Sequence, residues 1–196
     1  MEIIFATTNK HKIEEIQYLC PGFIRLKSLH DLGFYEALPE TCDTIKDNAL
    51  QKATYIFERY HQPVFAEDTG LEVEALGGAP GVFTARYAGD GASSQQNISK
   101  LLHVMKDIKE RKARFVTYIA FVNATGESFL FEGICNGEIT ESPIGSEGFG
   151  YDPVFKPHNS QKTFAQMSMD EKNIFSHRRK AFSSFLDFLI LQHKLS

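Results

Sequence analysis

The chain has 196 residues, with 21 Lys and Arg against 25 Asp and Glu, and a formal net charge of −4. That balance disfavours a protein that coats a nucleic-acid polymer, which carries a basic excess. The length fits one domain or two small lobes, and buries enough surface to fold without a disulfide or metal staple. No apolar run of about 18 residues is present, so no membrane span is expected. Met1-Glu2-Ile3-Ile4 lacks the basic start and apolar stretch of a signal peptide. Cys20, Cys42 and Cys135 form no CxxC pair and read as free thiols in a reducing, cytoplasmic setting.

The chain opens with a strand at Glu2 to Ala6, followed by a polar turn from Thr7 to Lys12. Ile13, Ile16 and Leu19 then recur at helical spacing until Pro21-Gly22 stops them. Phe23 to Lys27 reads as a second strand. Ile45, Ala49, Ala53, Ile56 and Tyr60 draw the apolar stripe of a helix, with Asn48, Lys52 and Arg59 off it. Pro63 to Ala66 is a third strand that ends at Glu67-Asp68-Thr69-Gly70, and Gly77 to Gly81 is a loop.

A helix through Ile98, Leu101, Leu102 and Met105 follows, capped by Ser93 or Ser94. Ala113 to Asn123 and Glu127 to Glu138 form a hairpin around Asn123-Ala124-Thr125-Gly126. Gly148 to Phe155 is a short segment of glycines and aromatics. Ser168-Met169-Asp170-Glu171 is a capping box that opens one long final helix, with Ile174, Ala181, Phe182, Phe185 and Leu189 facing inward. Strands alternating with helices, then a hairpin, give an α/β protein with a central mixed sheet.

Four places carry chemistry. Thr7-Thr8-Asn9-Lys10-His11-Lys12 lies between a strand and a helix, where backbone N–H groups, hydroxyls and lysines hold phosphate; the bland alternative is a capped polar turn. Glu67 and Asp68 follow an apolar strand, the position that open α/β sheets reserve for ligands, and their oxygens suit Mg²⁺. The alternative is a strand-to-turn junction. Gly148-Phe149-Gly150-Tyr151-Asp152-Pro153 offers flat rings for a purine and a carboxylate for a ring N–H, or else a bend with core aromatics. His177 and Arg178 sit on the inward stripe of the last helix. A buried Arg is costly unless paired or facing a cavity; otherwise it snorkels outward.

Together these blocks resemble the inosine triphosphate pyrophosphatase family, the XTP/dITP diphosphatases. Thr7 to Lys12 looks like that family's T-x-N-x-x-K phosphate loop, and Asp47-Asn48-Ala49 with Lys52-Ala53 resembles its next helix. Phe65 to Val73 with Ala75 to Gly89 is the most specific block. Gly148 to Pro153, then Glu171-Lys172-Asn173 with Ser176-His177-Arg178, complete the set. Thr8 stands where many members have Gly, Glu67 where many bacterial members have Asp, and Arg179 where Gly often follows Ser-His-Arg.

The resemblance implies one two-lobed α/β domain with its active site in the cleft, a homodimer, and Mg²⁺-dependent hydrolysis of ITP, dITP and XTP to monophosphate plus pyrophosphate. On this reading Asp68 is the catalytic carboxylate and a metal ligand, Glu40 the second ligand and Glu67 a helper or further ligand. Thr7, Thr8, Asn9, Lys10, His11, Lys12 and Lys52 hold the triphosphate, and Thr69 donates a hydroxyl hydrogen bond. Phe149 stacks on the base, with Tyr151 second, beside Gly150. Asp152 accepts the purine N1–H, and Lys172, His177 and Arg178 donate to the 6-oxo group. A Maf-like pyrophosphatase with other base preference and a non-catalytic nucleotide-binding module are the alternatives.

Charge is also unevenly spread. Residues 36–74 hold 3 basic and 9 acidic side chains, whereas residues 156–180 hold 6 basic and 2 acidic. The first stretch carries the expected metal carboxylates and the second the expected donors to an oxo purine.

Overall fold

The computed structural model describes residues 1–195, with side chains through Gln192. The strands are β1 (Glu2–Phe5), β2 (Arg25–Ser28), β3 (Val64–Val73), β4 (Lys112–Val122), β5 (Ser128–Ile139) and β6 (Phe155–Pro157). The helices are α1 (Lys10–Leu19), α2 (Ile45–Tyr60), α3 (Ser94–Val104), α4 (Met169–Phe175) and α5 (His177–Leu195). One six-stranded sheet runs in the order β2-β1-β3-β4-β5-β6. β1 is parallel to β2 and β3, and β6 is antiparallel to β5, so the sheet is mixed as the alternation of elements predicts.

The chain divides into two compact units. The first holds Met1–Asp68, Thr117–Gly133 and the chain from Arg178 onward; the second holds Thr69–Val116 and Ile134–His177.

In the first unit, strand alternation sorts β3 into two faces. Phe65 stacks on Phe5, ring centroids 4.4 Å apart, and packs with Ile16 of α1 and Phe182 and Phe185 of α5. Val64 and Ala66 point the other way, against Ala49, Ala53 and Ile56 of α2. Each buried Phe or Ile contributes about 1.5–3 kcal/mol. In the second unit, Leu71 and Val73 of the same strand pack with Ile98, Leu101, Phe115, Phe155 and Phe164.

Three expectations are corrected. β3 does not end at Ala66 but runs to Val73, because Leu71 and Val73 each have a core to enter; Glu67-Asp68-Thr69-Gly70 is therefore mid-strand. The polar turn after β1 is shorter than expected. Asn9 caps α1 by accepting the Lys12 N–H at 3.3 Å, so Lys10, His11 and Lys12 are the first helical turn. Asn48 and Lys52, off the apolar stripe of α2 as expected, are nonetheless buried. The final helix is two helices: Ser168 and Glu171 form the expected capping box of α4, but Ser176 takes an extended ψ of 125° and ends it. That break changes the helical phase, so Ile174 is 67% exposed while Ala181, Phe182, Phe185 and Leu189 keep their inward places.

Candidate active site

The two faces of β3 also decide what its adjacent acids can reach. Asp68 follows Ala66 onto the α2 side. There Lys52 Nζ donates to Asp68 Oδ1 at 2.9 Å and to Glu40 Oε1 at 2.7 Å. Burial pushes the Lys52 ammonium down, but Asp68 and Glu40 outweigh it and hold its pKa above the ordinary lysine value. The loop that presents Glu40 is tied to α2. Cys42 N–H donates to Asn48 Oδ1 at 2.9 Å, Asn48 Nδ2 returns a bond to Cys42 O at 3.3 Å, and Thr41 N–H donates to Gln51 at 3.0 Å. A buried Asn at position 48 is what satisfies that loop backbone.

Glu67 follows Phe65 onto the face of α1 and α5. Arg178 Nε and Nη2 donate to its two oxygens at 2.7 and 2.9 Å, a bidentate clamp. Lys12 Nζ lies 3.0 Å from Glu67 Oε1. Arg178 Nη1 donates to the carboxylate of Glu15 on α1. Burial pushes the Glu67 carboxyl up, yet Arg178 and Lys12 beside it hold it well below the usual carboxylate range. Burial likewise opposes the Arg178 charge, and Glu67 and Glu15 overcome it.

This geometry excludes one alternative and shows how Glu67 is engaged. Arg178 does not snorkel: it is 2% exposed, and Nε, Nη1 and Nη2 each donate to a carboxylate. Glu67 does not turn toward Lys52 and Glu40 with Asp68. Alternation sends the two to opposite faces, and both Glu67 oxygens are engaged by cations. Glu15 escaped notice in the sequence, although a Glu directly beside the inward Ile16 was the available signal.

Of the remaining phosphate-loop residues, Thr7 is buried and its Oγ1 accepts the Asn9 N–H at 3.2 Å. Thr8, Asn9, Lys10 and His11 are exposed, with His11 3.6 Å from Glu14, and Lys12 is half-buried. Thr69 is half-buried in β3.

The second unit holds the glycine–aromatic segment. Gly148 has φ +76°, and a Cβ there would lie 2.1 Å from Asp152 Oδ2, so only glycine closes this turn. Asp152 Oδ2 accepts the Phe149 N–H at 2.9 Å and a bond from Lys172 Nζ at 2.6 Å, both side chains being buried. Lys172 Nζ also sits 5.1 Å from the Phe149 ring centroid, a cation–π distance. Phe149 and Gly150 are half-buried. His177 is buried and stacks on Phe115 at 4.7 Å.

Tyr151 is a further correction. It is 3% exposed, lies in the core with Phe155 and Phe164, and donates its hydroxyl to Thr84 O at 3.0 Å. It anchors the segment and offers no stacking face. Burial and the neighbouring Tyr87 push its pKa above the ordinary tyrosine value.

Known proteins share this arrangement of sequence and fold. A model of the Ham1 family matches residues 3–188. A dITP/XTP pyrophosphatase of Flavobacterium johnsoniae is 47% identical over 189 residues, covering 96% of this chain and 98% of that protein. One from Porphyromonas gingivalis is 46% identical, covering 96% and 97%. The Staphylococcus aureus Ham1 protein superposes with a TM-score of 0.90 at 36% identity, over 98% of this chain and 100% of that one. A Coxiella burnetii HAM1 protein superposes with a TM-score of 0.89 at 34% identity, over 97% and 98%. The chain belongs to the Ham1 family.

Proposed function

We propose that this protein hydrolyses the non-standard purine nucleoside triphosphates ITP, dITP and XTP to the monophosphate and pyrophosphate, clearing deaminated purines from the nucleotide pool. The observation that carries the reading is the pair of carboxylates, Glu40 and Asp68, drawn together on the one buried ammonium of Lys52. A module that only bound nucleotide would have less need of clustered acids beside phosphate. The dITP/XTP pyrophosphatase names of the relatives support the substrate class.

Mg²⁺ is part of the proposal. Among the described residues no group of three His, Cys, Asp or Glu forms a closed metal cage. Two carboxylates still fit this ion, because Mg²⁺ keeps several waters and takes substrate phosphate oxygens as ligands. Glu40 and Asp68 would hold it, and when bound it would supply positive charge to the phosphate oxygens.

The chain's own groups do the rest. Lys12 and Lys52 bind triphosphate oxygens, with the Thr7 to Lys12 backbone at the N-terminus of α1 and the Thr69 hydroxyl as further donors. Water attacks the α-phosphorus and the bond from that phosphorus to the bridging oxygen breaks, releasing pyrophosphate. Asp68, whose Oδ1 accepts from Lys52, takes the water's proton on Oδ2.

Base choice belongs to the glycine–aromatic segment, Lys172 and His177. Phe149 stacks on the purine, Asp152 accepts the N1–H of an oxo purine, and Lys172 with His177 donates to the 6-oxo oxygen. Adenine presents a 6-amino donor and no N1–H, so both contacts fail, a mismatch that discriminates strongly when buried.

No helix among the described residues is long and apolar enough to cross a membrane. The proposal places the enzyme in the cytoplasm with free nucleotides, as a homodimer, the latter resting on the family resemblance. A pyrophosphate-release assay with ITP, XTP, dITP, GTP and ATP, with and without Mg²⁺, tests the reading. Release from ITP, XTP and dITP, dependent on Mg²⁺ and far above that from ATP, is expected; no release from any of them, or ATP as the best substrate, overturns it.

A further inference from the structure

Glu15 has no part in the mechanism above, yet it is 5% exposed. Burying a carboxylate costs several kcal/mol unless it is compensated. Its partner is Arg178, whose other two nitrogens hold Glu67, and Glu67 in turn holds Lys12. Lys12 and Glu15 are one turn apart on α1. The four side chains therefore close a ring that leaves α1 at Glu15, crosses to α5 and β3, and returns to α1 at Lys12.

The ring contains two anions and two cations. Glu67 alone would balance only one of them, and Arg178 would compete with Lys12 for it. Glu15 supplies the second negative charge, so Glu67 can serve both. It also pins the third nitrogen of the guanidinium, which fixes the plane in which Nε and Nη2 meet Glu67.

We infer that Glu15 is a positioning residue for substrate phosphate, acting through Arg178 and Glu67 to hold the Lys12 ammonium in place. The inference rests on the proposed nucleotide reading, in which Lys12 grips the triphosphate. It makes Glu15 a contributor to substrate affinity without touching substrate.

The test is a double-mutant cycle on the full chain with ITP and saturating Mg²⁺, after folding has been checked by thermal melting. Glu15→Gln is expected to raise KM for ITP about tenfold while kcat changes by less than about threefold. Because both changes act at one ammonium, Glu15→Gln combined with Lys12→Met is expected to show a KM no higher than Lys12→Met alone. A purely structural Glu15 gives multiplying effects on KM, or a Tm loss with KM unchanged, and either result overturns the inference. If Glu15→Gln does not fold, Glu15→Asp, which keeps the charge and shortens the reach, enters the same cycle with the same criteria. A wild-type enzyme that releases no pyrophosphate from ITP sinks the parent reading. An active wild type with multiplying effects sinks only the role of Glu15.

Discussion

Arg178 grips both oxygens of Glu67, with Nε and Nη2 at 2.7 and 2.9 Å, in a site closed to solvent. Two side chains 111 residues apart thus form the centre of the first unit's buried charge. Breaking such a pair is costly because the surviving charge stays buried and unbalanced. Arg178→Ala should therefore destabilise the protein by about 3–5 kcal/mol, read from denaturant midpoints. Wherever the variant still folds, the ITP-to-ATP ratio of kcat/KM should stay at its wild-type value. A collapse of that ratio with stability intact would return Arg178 to the base.

Acid sensitivity follows from the same pair. The folded-state pKa of Glu67 is depressed, so its stabilising contribution is present above the ordinary Glu pKa and is lost as pH falls toward the folded value. Glu67→Gln should lower the urea midpoint at pH 7, and its deficit relative to wild type should shrink below about pH 4, where the unfolded carboxyl is already protonated. A deficit that grows on acidification would contradict the assignment.

At the glycine–aromatic turn, Gly148→Ala puts a Cβ on the Asp152 carboxylate and forces a positive φ on a non-glycine residue. The strain is on the order of 1–3 kcal/mol. Asp152 must shift from the Phe149 amide and from Lys172. The expected outcome is a loss of ITP kcat/KM with a smaller effect on residual ATP turnover, measured by pyrophosphate release.

Tyr151 and Phe149, two residues apart, should separate cleanly. Tyr151→Phe strands the Thr84 carbonyl, at a cost of about 1–3 kcal/mol in stability. Its effect on base preference should be small. Phe149→Ala should leave stability nearly intact and weaken ITP binding by about 1–3 kcal/mol, the value of one base–aromatic stack. Melting curves and KM for ITP distinguish the two.

Much of this was legible in the sequence. Periodicity located α2, the Ser93 and Ser168 caps, and the β4–β5 turn, because local pattern and tertiary packing agree there. It failed where packing overrides pattern. β3 runs on past two acids because Leu71 and Val73 have a core to fill beyond them. The phase of the last helix could not be carried across Ser176, whose extended backbone resets it. The site showed the same division. Asp68 was named from chemistry, Glu40 and Lys52 through the family resemblance, and the three side chains do meet. Arg178 was recognised as an anomaly, but its partners were not, since a carboxylate on α1 and another on β3 become neighbours only through the fold.

Asp68→Asn is the most direct test of the account. The substitution keeps the shape of the side chain and an oxygen for Lys52 while removing the proton-accepting carboxylate. With the fold verified by melting and Mg²⁺ saturating, pyrophosphate release from ITP should fall by roughly 10²–10⁴-fold in kcat. Turnover near that of the wild type would contradict the account.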